Sequence, residues 1–325
     1  MLKKFLEETK AEVEKKMGDG YQIKMEHVLK NNGVELDGIL ITKDGENIAP
    51  SIYLNDYYEE YKCGRTIETI ADEVIEGYFQ YAAQKEGFIS DLDLSFEKIK
   101  DKIYFRLVNL AQNKKMMKSI PYIPFLDLAI TFHCLVEKKT GLIGSLHISN
   151  ELMKEWQIEK ADLLKLAMKN TPNLFPASIR TMDEVIDGML KKDIEELVAY
   201  YRRDEVPLET AREAEQCCVE LMKHLKRNRK NGMYVISNTS GINGAAALLY
   251  ENLLKSFCEL CHSDFFILPS SIHEILLIPC SSGFSEEELK EMVYEVNQTQ
   301  VPVEDILSNE VYIYHREGNY FEWEG

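Results

Sequence analysis

The sequence predicts an α+β protein, and three observations support this prediction. First, Asn32-Gly33 and Asp44-Gly45 separate short apolar runs, and such dipeptides are typical of hairpin turns. Second, long segments carry apolar residues at helical spacing. Third, residues 234–314 follow the order of a β-α-β-β-α-β unit. We therefore predict N-terminal hairpins plus helices and a C-terminal β-α-β-β-α-β unit, with domains at 1–230 and 231–325.

The first part of the chain is predicted to contain a three-stranded meander flanked by helices. The strands are expected at about 21–30, 34–42 and 47–54. Helices are predicted at 2–17, 66–85 and 94–117. The last of these helices is predicted from apolar residues at helical spacing, which are Phe96, Ile99, Ile103, Leu107 and Leu110.

A second hairpin is predicted next, with strands at 127–137 and 142–149. Ser149 is a predicted N-cap for a short helix, and a further helix is expected at about 159–170. The two prolines in Thr171–Pro176 predict an extended breaker. Thr181 and Glu184 then form a predicted capping box that begins a helix-rich stretch extending to Arg229.

The C-terminal unit is predicted from four apolar runs and two helical patterns. Ser285 and Glu288 give a second capping box, at the start of its last helix. The four predicted strands are Tyr234–Ser237, Phe265–Leu268, Glu274–Ile278 and Val311–Tyr314.

The charged residues and the cysteines limit the partners and the location that we expect for this protein. The chain has 38 basic and 55 acidic residues, a formal net charge of -17. This charge repels nucleic-acid phosphates and anionic membranes, so we expect neither as a partner. The 7 cysteines are odd in number and irregularly spaced, which indicates reduced thiols. With no signal-peptide pattern at the N-terminus, we expect a cytoplasmic protein.

Four phrases together resemble a known family. They are Asn31–Gly38, Ile48–Tyr61, Gly241–Ala245 and Leu268–Glu274. The chain resembles the domain-of-unknown-function family 5688 of anaerobic gut bacteria, nearly from end to end. The helix pair near 149–170 and the C-terminal unit also look like the uncharacterised bacterial family 1444. Neither resemblance implies a catalytic residue or a mechanism.

The loop from residue 238 to 244 is the candidate ligand site. It follows a strand and opens a helix, where backbone N–H groups can bind an anion. It lacks the lysine of a P-loop and the full dinucleotide glycine fingerprint. A capped turn explains the same residues. The candidate ligand-binding residues are Asn238, Ser240, Gly241, Asn243 and Gly244.

Ser271 and His273 are the candidate catalytic residues, as a nucleophile and a base. No orienting carboxylate can be assigned to them from the sequence, and a hairpin turn with polar side chains is the alternative. Cys258, Cys261 and His262 match the haem-attachment pattern and could supply ligands to zinc. Because the three residues close an amphipathic helix, core cysteines are the alternative, and we predict no metal and no cofactor.

Two further segments have structural explanations that suffice. The basic run at 223–230 ends a helix, where cations favour the negative end of the helix dipole. His133 and Cys134 are consecutive in a strand, so they point to opposite faces and cannot form a dyad. The sequence therefore favours a non-catalytic binding or protein-interaction module with an unknown protein partner. The alternative is an enzyme that acts on an anionic or phosphate-bearing small molecule through the loop at 238–244.

Overall fold

The computed structural model describes residues 1–44, 51–83, 93–139, 142–203 and 232–323. It confirms the predicted α+β class. The chain divides into two compact units, residues 1–99 and 100–325. The domain boundary that the sequence predicts near residue 230 lies outside the described residues, as does the basic run at 223–230. No helix in the described ranges is long and apolar enough to cross a membrane.

The first unit contains the predicted meander, an antiparallel sheet in the order β1-β2-β3. Its first turn has positive φ at Asn32 (57°) and Gly33 (72°), the conformation predicted for this dipeptide. Helices cover the sheet and bury a shared core that includes Phe5, Ile39 and Val74. The elements are β1 (Tyr21–Leu29), β2 (Glu35–Lys43), β3 (Ser51–Tyr53), α1 (Leu2–Met17), α2 (Asn55–Lys62), α3 (Ile67–Ala83) and α4 (Phe96–Ile99).

The second unit begins with a four-stranded antiparallel sheet. Its long strand β6 (Leu128–Lys139) pairs with β4 (Ile103–Asn109) on one side and with β5 (Tyr122–Phe125) and β7 (Leu142–His147) on the other. The β6-β7 hairpin was predicted. The helix predicted over 94–117 is wrong beyond residue 102, because the chain is helical from Phe96 to Lys102 and then forms the strand β4. Residues four apart lie on one side of a strand as well as of a helix, so that spacing did not discriminate.

The C-terminal sheet has six strands in the order β13-β12-β10-β11-β9-β8, and all its neighbours are antiparallel. Four of its strands and two helices confirm the predicted β-α-β-β-α-β order, and β8 and β13 add an edge strand on each side. The strands are β8 (Ala177–Thr181), β9 (Tyr234–Asn238), β10 (Phe265–Leu268), β11 (Ile275–Pro279), β12 (Tyr312–His315) and β13 (Tyr320–Glu322).

The helices of the second unit begin as their caps predict. Ser149 accepts a hydrogen bond from the backbone of Leu152, and both predicted capping boxes form. The helices are α5 (Asn150–Glu155), α6 (Lys160–Leu174), α7 (Met182–Arg203), α8 (Leu253–Cys261) and α9 (Glu286–Thr299).

The breaker predicted at Thr171–Pro176 is wrong in its first four residues, because α6 continues to Leu174 with Pro172 inside it. Tertiary hydrogen bonds hold this last turn against β4. The Phe105 amide donates to Thr171 Oγ1 (3.1 Å), and Asn170 Nδ2 donates to the Ile103 carbonyl (3.0 Å). These bonds compensate for the hydrogen bond that a proline removes from a helix.

Candidate functional site

The loop from residue 238 to 244 is held by its own hydrogen bonds. Asn238 Oδ1 accepts from the Ser240 amide (2.9 Å), and Asn238 Nδ2 donates to the Ile242 carbonyl (2.9 Å). The Gly241 amide donates to the Asn238 carbonyl (3.1 Å). Two of the N–H groups that could have bound an anion are therefore engaged within the loop.

Close packing explains the glycine at the end of this loop. A Cβ atom on Gly244 would lie 2.1 Å from Ser237 Oγ and 2.4 Å from the His273 carbonyl oxygen. No side chain fits at those distances. Gly244 opens a six-residue 3-10 segment, Gly244–Leu249, whose second amide donates to the Ile272 carbonyl (3.1 Å). The loop residues are thus packed directly against the turn that carries His273.

His273 connects three segments of the second unit. Its Nδ1 accepts from the Asn243 amide (3.1 Å), and its Nε2 lies 3.3 Å from Asp305 Oδ1. Because Nδ1 accepts a hydrogen bond, the neutral ring carries its proton on Nε2, facing the carboxylate. Ser271 Oγ accepts from the His273 amide (3.0 Å) and not from its ring. The structure brings the loop, Ser271 and His273 together, and most of the bonds between them are bonds to backbone.

A small cavity lies beside the loop, with an empty volume of about 210 Å³. Asn238 and Asn243 line it together with aromatic residues such as Tyr104 and Phe175. The space accessible within it is about that of one water molecule. A substrate-sized molecule would require this wall to open.

The candidate metal residues lie at the end of α8. Cys258 is buried, Cys261 is half-buried and His262 is exposed at the helix C-cap. Desolvation raises the pKa of Cys258 to about 12 and that of the neighbouring Cys280 to about 11. Since zinc binds the thiolate, these raised pKa values oppose metal binding. In the described ranges, no three histidine, cysteine or acidic side chains are placed to hold a metal ion.

A different polar site lies on one face of the first sheet of the second unit. Strand register places Arg106 opposite Thr131, and His133 opposite both Tyr104 and His147. Ser145 lies opposite Leu135, two residues further along β6, and so on the same face. We call this set the Arg106 cluster. Its members are Tyr104, Arg106, Thr131, His133, Ser145 and His147.

Arg106 lies in this cluster without a carboxylate partner among the residues that the structure describes. Its Nη2 donates to the hydroxyls of Tyr104 and Ser145, the latter at 2.6 Å. Its guanidinium carbon lies 5.3 Å from the centre of the Tyr104 ring. The buried Nε has no hydrogen-bond partner in the described part of the chain. Among the described residues, the groups that contact this positive charge are therefore neutral.

The two histidines of the cluster are held neutral. Their ring centres are 4.4 Å apart, and His133 Nε2 lies 3.0 Å from Thr131 Oγ1. Burial, and then the charge of Arg106, hold the pKa of His133 well below its usual value. Desolvation by the surrounding protein and the Arg106 charge lower the pKa of His147 to about 4. His133 Nδ1 is a second buried atom without a partner in the described residues.

Solutes can approach the cluster from one side. Tyr104, Thr131 and His133 form a buried floor, while Arg106 and Ser145 are half-buried and His147 is exposed. The sequence prediction missed this site because Arg106 was assigned to a helix. The predicted hairpin still offered a clue, since pairing its two strands brings His133 and His147 opposite each other.

Fold and site together define an α+β protein with an internally hydrogen-bonded loop at 238–244 and the Arg106 cluster on one face of a sheet. The chain belongs to a family of unknown function (DUF5688), whose model matches residues 2–316. This match confirms the family that the sequence phrases indicated. No curated protein and no solved structure matches the chain.

Proposed function

We propose that this chain is a non-catalytic binding protein that recognises an anionic group on a small molecule or a protein partner. The supporting observation is Arg106, a half-buried cation with no carboxylate partner among the described residues. Burying part of a charge without a counterion costs free energy, and a bound anion would recover it. A chain with 55 acidic residues has ample carboxylates for this position, yet neutral hydroxyls occupy it.

The chemistry of the cluster suits binding better than catalysis. His133 is buried and both histidines are neutral, and in the described part of the chain no carboxylate orients either ring as a base for Thr131 or Ser145. The negative surface disfavours nucleic acid and anionic membranes as the source of the anion. The odd number of cysteines favours the cytoplasm as its location.

The test is a titration of the uniformly ¹⁵N-labelled full chain with phosphate, sulfate and acetate at constant ionic strength. We expect saturable shifts in the NMR signals of Arg106, Ser145 and His147. Arg106→Gln should abolish them. Arg180→Gln is the matched control, because it removes the same charge from an exposed strand position in the other sheet. Equal responses of the two variants would refute the proposal.

The alternative function is an enzyme that acts on an anionic or phosphate-bearing small molecule through the loop at 238–244. The pair of His273 and Asp305 favours it, because a carboxylate that orients histidine is the arrangement of a general base. Two facts oppose it: His273 Nδ1 already accepts an amide proton, and several loop amides are engaged. An assay with p-nitrophenyl phosphate tests it. Turnover that falls at least about a hundredfold in His273→Asn would support the enzyme, and no turnover by the wild type would discard it for phosphate esters.

A further inference from the structure

We infer that the anion bound at the Arg106 cluster is a carboxylate rather than a phosphate. This inference rests on the proposed function, which makes the cluster an anion site, and it adds the chemical class of the bound group. Two observations support it: the number of hydrogen-bond donors in the cluster that are available to a ligand, and the number of positive charges close to the bound group.

The donors left in the cluster are few and neighbouring. Arg106 Nη2 donates its hydrogen bonds to the hydroxyls of Tyr104 and Ser145, while Nη1 has no hydrogen-bond partner in the described part of the chain. A hydroxyl that accepts a hydrogen bond still has its own proton to donate. Nη1, the unpaired Nε and the hydroxyls of Ser145 and Tyr104 are therefore the donors around one guanidinium. This small set, centred on one planar group, suits the two oxygens of a carboxylate, whereas a phosphate offers three strong acceptor oxygens, each taking more than one bond.

Among the side chains that the structure describes, Arg106 is the one cation whose contacts place it in the cluster. His133 and His147 are neutral, and Lys160 Nζ lies 5.6 Å from the centre of the Tyr122 ring. Tyr122 pairs with Thr131, two strands away from Arg106, which is roughly 10 Å at ordinary strand spacing. Lys160 is exposed, so water screens it. One cation balances a carboxylate and leaves a phosphate dianion uncompensated in a chain of net charge -17.

The experiment compares acetate, benzoate and inorganic phosphate as probes of the full chain at pH 8, where phosphate is mostly the dianion. Dissociation constants come from NMR titrations at constant ionic strength. We expect both carboxylates to bind at least about tenfold more tightly than phosphate, a factor worth 1.4 kcal/mol. Arg106→Gln should weaken carboxylate binding about tenfold or more, while Arg180→Gln should not change it. Arg106→Lys, which keeps the charge and loses the planar fork, should fall between them.

Two peptide probes distinguish the sources of the carboxylate. A short acetylated peptide with a free C-terminus is compared with its C-terminal amide. Binding of the acid alone, more tightly than acetate, indicates a protein C-terminus; binding no tighter than acetate indicates a small carboxylate. Tighter binding of phosphate would overturn the inference and leave an anion site in place. Failure of every probe to shift the cluster would overturn both the inference and the proposed function.

Discussion

The loop at 238–244 and the Arg106 cluster are both polar regions of the second unit, and they treat their polar groups in opposite ways. In the loop and the turn packed against it, the Asn238 side chain and His273 Nδ1 bond to backbone groups, and His273 Nε2 lies 3.3 Å from Asp305 Oδ1. In the cluster, Arg106 Nε and His133 Nδ1 are buried without partners in the described residues. Polar groups that are paired within the protein support the fold, whereas unpaired ones cost stability and remain available to a ligand. Unpaired polar groups of this kind therefore lie in the Arg106 cluster, which carries no sequence motif.

Gly244→Ala tests whether the loop is a packed structural element. A methyl group there would lie 2.4 Å from the His273 carbonyl oxygen and 2.6 Å from the Asn238 amide nitrogen, so backbone must move. We expect a loss of about 3 kcal/mol or more in the free energy of unfolding, measured by urea denaturation.

Gly241→Ala in the same loop is the control for Gly244. Gly241 has φ 67°, and a Cβ atom added there would meet nothing within 4 Å, so only the left-handed conformation opposes alanine. We expect a cost of about 1 kcal/mol. Equal losses at the two positions would show that Gly244 is not held by close packing.

Acid should destabilise the fold through the buried histidine of the Arg106 cluster. The pKa of His133 is lower in the folded state than in the unfolded chain, so the unfolded state binds more protons below about pH 6.5 and stability falls as the pH falls. For a fully depressed pKa this linkage amounts to about 2 kcal/mol between pH 7 and 5. His147 should add to the loss until its pKa of about 4 is reached.

The contribution of His133 can be isolated by substitution. His133→Asn removes the titrating ring, so the free energy of unfolding should depend less steeply on pH between 7 and 5. His262→Asn is the matched control, because His262 is exposed and asparagine tolerates its φ of 54°. An unchanged slope in His133→Asn would contradict a buried neutral imidazole.

His273→Ala tests the structural role of the His273 ring. His273→Ala leaves the Asn243 amide without its acceptor, which should lower the free energy of unfolding by about 1–2 kcal/mol. The exposed neighbour Glu274 provides the control, and Glu274→Ala should stay within about 0.5 kcal/mol of the wild type. If His273→Ala and Glu274→Ala have the same free energy of unfolding, the His273 ring has no structural role.

Local patterns allowed much of the fold to be predicted. Helix caps and tight turns depend on a few consecutive residues, so the local sequence is enough to predict them. The examples are the caps at Ser149 and Ser285 and the turn at Asn32-Gly33. The edge strand β8 was not predicted, since its pairing with β9 joins positions more than fifty residues apart. The helix predicted over 94–117 failed because Ile103 and Leu107 share a face in a strand too.

The same contrast between local patterns and long-range packing applies to the candidate site. The loop could be located from its glycines, but its hydrogen bonds to His273 depend on how a distant turn packs. The Arg106 cluster depends on the register of three strands, which brings together residues from 104 to 147. Residues this far apart in the sequence form no motif. Once one of the three strands is assigned to a helix, the cluster cannot be predicted.

The contacts of α6 with β4 also bear on self-association. A strand that pairs on one side only offers its other edge to strands of other molecules, which is a route to aggregation. On that edge of β4, Asn170 and Thr171 provide a donor and an acceptor where another strand would have offered backbone groups. These two side chains, at the end of a helix that contains a proline, thereby make the hydrogen bonds that a neighbouring strand would make. They close a stretch of backbone that would otherwise be open to intermolecular strand addition.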